Sequence, residues 1–280
     1  MHLQLCYVLM KIRIIIVLLF ALLGVIAQPV LAANSSQAAP PANQLQDPGR
    51  TQQFIQLANG WMQGPTSTAE EQEFAQPDPE LVVYLTFDDG PDPKWTPQVL
   101  DLLQQYHATA TFYEIGYNVK RFPETTRQVA MSGNTIGLHG YYHLDLTQLD
   151  YSEFYLEVGE NQEILENVLS EDPQLLNAIT PCLRPPYRAV NQTVKNITEE
   201  MNYTLSFWQI DTEDWSGKSS EEIFTTVANA VMPGATILMH DGGGDRLETI
   251  HALELVLHEL TLRGYSFAPY CTASGQAFTP

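Results

Sequence analysis

The sequence predicts an α/β protein in which about seven parallel strands close into a (β/α) barrel. From Leu81 onward, short β-branched or aromatic runs alternate with amphipathic stretches, the βαβα order of a parallel sheet. Polar clusters at Asp88-Asp89, His139, Arg184, Asp211 to Asp214 and His240 each follow a strand-like run directly, at its C-terminal end. Periodicity alone fits an open doubly wound sheet equally well. In an open sheet, however, the outermost strand ends lie too far apart to meet, whereas a barrel gathers them on one rim.

The elements follow in order. LVVYLTF reads as the first strand, PQVLDLLQQY as an amphipathic helix, TATFYEI as the second strand and FPETTRQVAMSG as the next helix. NTIGL is strand-like, and a helix is expected from about Ser152 to Leu169. ITPCLR is the fourth strand, followed by a helix after Asn191 and then by YTLSFWQI, an eight-residue strand rich in β-branched and aromatic residues. A helix from Ser219 to Val231, the strand GATILMH, a helix from Leu247 to Leu262 and the short run YSF complete the pattern.

Ahead of this domain, residues 81–280, the chain reads differently. Lys11 and Arg13 precede an apolar run from Ile14 to Ala27, and small residues end at Ala32, which is the layout of a cleaved secretory signal peptide over residues 1–32. The run is shorter than the roughly 20 residues a spanning helix needs, so no stable membrane span is expected after cleavage. Residues 33–80 form a polar, low-complexity linker. Within it, Phe54, Ile55, Leu57, Trp61 and Met62 allow a short docked helix at 52–62.

Cleavage would remove two basic and no acidic residues, leaving 11 Lys+Arg against 33 Asp+Glu and a formal net charge of −22. Such a chain should avoid nucleic acid. Two cysteines would remain, Cys182 and Cys271, in an oxidising compartment. A disulfide closing a long loop and two separate buried thiols are both open readings, because sequence does not tell whether their Cα atoms come within reach.

The residues that point to chemistry are His139 and His143, four apart, with the acidic pair Asp88 and Asp89 upstream. Two imidazoles and a carboxylate suit zinc, and three protein ligands leave a position for a water that the metal can acidify. The second carboxylate is then available as a base. Singly, each cluster has a plainer explanation: a turn, an ion pair, a helix cap. Their order and shared placement favour a site.

Five motifs in order, Thr86-Phe87-Asp88-Asp89-Gly90-Pro91, His139-Gly140-Tyr141-Tyr142-His143, Arg184-Pro185-Pro186-Tyr187, Asp211-Thr212-Glu213-Asp214-Trp215 and Leu238-Met239-His240, make residues 81–268 resemble the polysaccharide deacetylase (NodB-like) domain of carbohydrate esterase family 4. The resemblance implies a distorted (β/α) barrel of seven or eight strands. It also implies a divalent metal, Zn²⁺ first with Co²⁺ or another ion as alternatives, held by Asp89, His139 and His143.

By the same resemblance Asp88 is the catalytic base, steadied by Arg184, and the Tyr187 backbone N–H receives the oxyanion. Asp214 orients His240, the general acid; Trp215 lines the pocket, and Leu238 takes the acetyl methyl. Two positions depart from the family: Gly140 stands where it has Ser or Thr bracing the loop, and Arg188 where it usually has Gly.

The function expected is a secreted, periplasmic or wall-associated enzyme, acting as a monomer, that removes N-acetyl groups from N-acetylglucosamine units of a chitin-like polysaccharide or peptidoglycan. An O-acetyl ester hydrolase of the acetyl xylan esterase type and a non-catalytic glycan binder are the alternatives.

Overall fold

The computed structural model describes residues 81–272. The expected signal peptide, the linker and the helix at 52–62 lie outside the described residues.

The central strand β1 (Val82–Asp88) is mostly apolar on both faces, with Thr86 the polar exception before its last residue, and from Val83 onward it is buried throughout. That is the signature of a parallel strand covered on both sides. It pairs in parallel with β2 (Ala110–Glu114) and β7 (Thr236–His240), and at its start with β8 (Ser266–Phe267). Outward from β2 lie β3 (Thr135–Leu138), β4 (Ile179–Leu183) and β5 (Thr204–Leu205); beyond β7 lies β6 (Ile210–Asp211). Every pairing is parallel, in the order β5-β4-β3-β2-β1-β7-β6, and the sheet curls into a distorted barrel.

The run YTLSFWQI, expected as one strand, is two. Its start pairs with β4 and its end with β7, and the four residues between bridge the two edges of the sheet. Side-chain chemistry accounts for the interruption. The Phe207 carbonyl accepts from Arg184 Nη2 at 3.4 Å, and the Trp208 indole N–H donates to Asp211 Oδ2 at 3.2 Å. The ladder resumes where the Gln209 amide donates to the Thr236 carbonyl. The barrel is thus joined at this seam by the chain itself.

The helices begin where local signals place them. Pro97 lies in the first turn of α1 (Thr96–Gln105), which buries Val99, Leu100 and Leu103. A six-residue helix, α2 (Gly116–Arg121), escaped the sequence reading because it is too short to show a period and has no side-chain cap. Helix α3 (Pro123–Met131) also starts on a proline.

The long helix α4 (Tyr151–Leu169) opens with a capping box between Asp150 and Glu153. It buries Phe154, Val158, Leu165, Val168 and Leu169, together with two polar residues on the same stripe, Glu157 and Asn161. Helix α5 (Gln192–Glu200) is capped by Asn191, and α6 (Ser220–Ala230) by a second capping box, Ser219 with Glu222. Helix α7 (Leu247–Leu262) packs Leu253, Val256 and Leu257 into the core, where Phe87 and Phe112 stack at 5.1 Å. Among the described residues no helix is long and apolar enough to cross a membrane.

Cys182 and Cys271 are joined, with Cα atoms 6.4 Å apart and 89 residues of separation, so the disulfide reading holds. It ties the tail to β4, buried against Tyr113. Closing so long a loop restricts the unfolded chain, and Cys182→Ala with Cys271→Ala should lower the unfolding free energy by about 2–4 kcal/mol. Urea melts of the two proteins check this; coincident transitions would contradict it.

Candidate active site

The site assembles at the C-terminal ends of the strands because parallel register brings those ends level. Asp88 ends β1 directly opposite His240, which ends β7. His139 follows β3 and Arg184 follows β4. Asp214 follows β6 in a short 3₁₀ turn, Asp214–Ser216.

Asp89 leaves β1 with φ +71, a left-handed conformation that strains a residue with a side chain and that surrounding contacts must hold. The Asn118 side-chain amide on α2 donates to the Asp89 carbonyl at 3.0 Å, and the Ile115 amide to the Gly90 carbonyl at 2.9 Å. Gly242 packs against the same Asp89 carbonyl so closely that no side chain could stand there.

The result is one carboxylate oxygen facing two imidazoles. Asp89 Oδ1 lies 3.5 Å from His139 Nε2 and 3.3 Å from His143 Nε2, and all the candidate ligand atoms fall within 4.8 Å of one another. Asp89 Oδ1 is buried and meets no well-formed hydrogen-bond donor among the described residues. An orphaned buried oxygen is costly, and a metal ion would satisfy it. The other ring nitrogens are engaged. His139 Nδ1 lies 2.7 Å from the Arg184 carbonyl, which can only accept, so in the neutral ring that would bind a metal Nδ1 carries the proton and Nε2 presents its lone pair. His143 Nδ1 lies 3.1 Å from the Tyr187 hydroxyl. Two imidazoles and a carboxylate so arranged fit a divalent metal of the zinc class.

Asp88 stands beside this cluster. Its Oδ1 accepts from Arg184 Nη1 at 2.7 Å, and its Oδ2 lies 3.7 Å from His139 Nε2. Arg184, fully buried, also donates to Thr86 Oγ1 at 2.8 Å and lies over the Tyr113 ring at 4.0 Å. On the other wall Asp214 Oδ1 accepts from His240 Nδ1 at 2.7 Å, while Oδ2 accepts from the His240 amide and from Thr249 Oγ1, each at 2.9 Å.

The electrostatics follow from burial and these pairs. Burial pushes the Asp89 carboxyl up, but its polar contact with His139 and the neighbouring imidazoles hold it well below the usual range, so it is ionised. Burial and the charge of His139 depress His143 to about 4, leaving a neutral imidazole near neutral pH. Burial depresses His240, yet the Asp214 hydrogen bond and charge outweigh it and raise the pKa above 6.5. Behind the site, burial raises Glu114 to about 8 and Asp241 to about 7.

Comparison with known proteins decides what this constellation belongs to. The polysaccharide deacetylase family pattern matches residues 75–206. A peptidoglycan-N-acetylglucosamine deacetylase of Bacillus cereus is 38% identical over 193 residues, covering 68% of this chain and 87% of the relative. The chain belongs to the polysaccharide deacetylase family. A chitooligosaccharide deacetylase of Azorhizobium caulinodans is 30% identical, covering 67% of this chain and 91% of the relative. A crystal structure of a peptidoglycan N-acetylglucosamine deacetylase bound to a naphthyl N-hydroxybenzamide superposes with a TM-score of 0.63 at 32% identity, covering 70% of this chain and 89% of that one. These relatives are named deacetylases, hydrolases of carbon–nitrogen bonds other than peptide bonds, and so is this chain.

In the deacetylase Asp88, Asp89, His139, His143, Arg184 and Tyr187 form one chain of contacts, and Asp214 is paired with His240. Tyr187 (φ +59) and Arg188 (φ +58) form a left-handed pair; Tyr187 is exposed, its ring 4.6 Å from that of His143. Arg188 is also exposed, its guanidinium over the Phe207 and Trp208 rings. Trp215 is exposed at the rim, whereas Leu238 is buried two residues before His240 and so on the same strand face. The sequence reading missed the Tyr187 hydroxyl against His143, Thr249 on Asp214, Thr86 and the Tyr113–Ser206 pair around Arg184, and Glu157 beneath the histidine loop. None of these contacts carries a local signal: Glu157 is one of several acids on α4, Thr249 one of several polar residues on α7, and Ser206 lies in the link between two strands.

Proposed function

We propose that this deacetylase is a metal-dependent enzyme that hydrolyses the N-acetyl groups of N-acetylglucosamine units in chitin-like polysaccharide or peptidoglycan. The observation that carries the reading is the Asp89, His139 and His143 cluster lying between a buried carboxylate, Asp88, and an Asp214-supported imidazole, His240. The substrate follows the relatives, named for peptidoglycan and for chitooligosaccharides.

A divalent metal, Zn²⁺ before Co²⁺, held by Asp89, His139 and His143 would supply Lewis acidity to the attacking water and to the amide carbonyl. Asp88 would accept the proton of that water as it adds to the carbonyl carbon. The Arg184 ion pair takes one Asp88 oxygen and so fixes which oxygen faces the cluster. The Tyr187 backbone N–H would receive the developing oxyanion.

As the C–N bond breaks, His240 would donate its proton to the departing amine, leaving acetate and a free amino sugar. Its Nδ1 is committed to Asp214, so Nε2 is the nitrogen that delivers the proton. Leu238 would pack near the acetyl methyl. Tyr142, Tyr187 and Trp215, all exposed, offer flat apolar faces of the kind sugar rings stack on. The expected signal peptide and such a substrate both support a secreted, periplasmic or wall-associated location.

Acetate release from N-acetylated chitooligosaccharides, peptidoglycan and acetylated xylan, run side by side, tests the substrate. Activity is expected on one or both of the first two, abolished by a chelator and restored by Zn²⁺ or Co²⁺. Release from xylan alone would replace the amide reading with an ester one, and activity indifferent to chelation would remove the metal.

A further inference from the structure

Gly140 lies between the two histidines, where the resembling family carries a hydroxyl that braces the loop. Its surroundings show what stands in that place. Gly140 has φ +78, and a Cβ there would lie 2.7 Å from Glu157 Oε1. Glu157 sits in the middle of α4, 4% exposed, on a stripe shared with Phe154, Val158 and Leu165. A carboxylate on such a stripe loses its hydration and is tolerated only with strong hydrogen bonds in return.

Those bonds all go to the histidine loop. Glu157 Oε1 accepts from the Tyr142 amide at 2.8 Å and from the Leu144 amide at 3.1 Å, the residues on either side of His143. The Glu157 carbonyl accepts from the Tyr141 amide at 2.8 Å. One helical turn on, Asn161 Oδ1 accepts from the His139 amide at 3.0 Å. One face of α4 therefore grips four amides of a segment that carries both imidazoles, and His143 itself has φ +61. A left-handed residue with a side chain persists only where its neighbours are fixed.

We propose that Glu157 is the positioning residue that aims His143 at the metal, acting in place of the hydroxyl absent at 140, and that Gly140 and Glu157 are a matched pair. The glycine provides the space in which the carboxylate meets the two amides. This rests on the metal site proposed above.

The test is zinc affinity of the full chain, stripped of metal and titrated against a chromogenic chelator, with the melting temperature of the metal-free protein as a check on folding. Glu157→Leu keeps the apolar volume on α4 but offers no acceptor, and should weaken zinc binding about 10–100-fold. Glu157→Gln keeps a carbonyl oxygen in the same place and should bind within a few-fold of wild type. Should Glu157→Leu not fold, Glu157→Ala carries the same expectation.

Zinc affinity in folded Glu157→Leu equal to wild type would overturn the proposal, as would a Glu157→Gln as weak as Glu157→Leu. Wild-type protein that takes up no stoichiometric zinc would instead remove the metal site, a separate outcome. Gly140→Ala adds a second reading of the pair: besides the strain of a side chain at φ +78, which remains in either background, the Cβ pushes the carboxylate off the amides, so part of its effect on zinc affinity should vanish when Glu157 is already Leu. Full additivity of the two losses would deny the pairing.

Discussion

Asp88→Asn is expected to lower kcat/KM by about 10²–10⁴-fold while zinc stays bound. Asparagine keeps the shape of the side chain and an oxygen that can still accept from Arg184, but it cannot take a proton from water. Zinc retention follows because the cluster that offers ligand atoms is Asp89, His139 and His143, with Asp88 outside it. Stability should fall as well. Arg184 is fully buried and Asp88 is its only ion-pair partner among the described residues, so the substitution leaves a buried guanidinium without a countercharge. Removing one partner of such a pair costs on the order of 3–5 kcal/mol, and rates should be compared well below the variant's melting transition. A folded, zinc-loaded Asp88→Asn enzyme within a few-fold of wild type would show that Asp88 is not the base.

His240→Ala should bring a loss of similar size, about 10²–10⁴-fold, greater on amide than on activated ester substrates because an amine leaves poorly unless protonated. The pH profile of Asp214→Asn gives a sharper reading. His240 must carry its proton to act as an acid, and its pKa is raised above 6.5 through the hydrogen bond and charge of Asp214 acting against burial. The acid form therefore persists to higher pH than in a free imidazole, and activity is lost as pH rises through that raised value. Replacing Asp214 by a neutral amide removes the opposing effect while burial remains, so the basic limb of kcat/KM should move to lower pH. A basic limb that stays in place, or moves upward, would dissociate His240 from the protonation that controls the rate.

Much of this site was legible beforehand because its residues are linear signals. Asp88-Asp89 and His139-x-x-x-His143 are compact motifs, and their position after strand-like runs follows from a period that can be read without coordinates. The strand YTLSFWQI was legible only in part: its composition announces extended chain, but where its partners change depends on Arg184, well upstream in the chain, reaching the Phe207 carbonyl. Glu157 was not legible at all. On a helix it reads as one more solvated acid, and only the docking of α4 turns it inward beneath the histidine loop.

By itself, then, the sequence determined the parallel α/β alternation, the strand ends that carry chemistry and the residue types at the metal cluster, because each is written in contiguous residues or in a short period. The tertiary structure alone decided the pairing of Cys182 with Cys271, the seam at Ser206–Gln209, the Tyr187 hydroxyl against His143 and the fit of Glu157 into the space at Gly140. Each of these joins residues from separate elements of the chain or, at the seam, is set by one. Their meeting depends on strand register and helix docking, which local residue patterns do not encode.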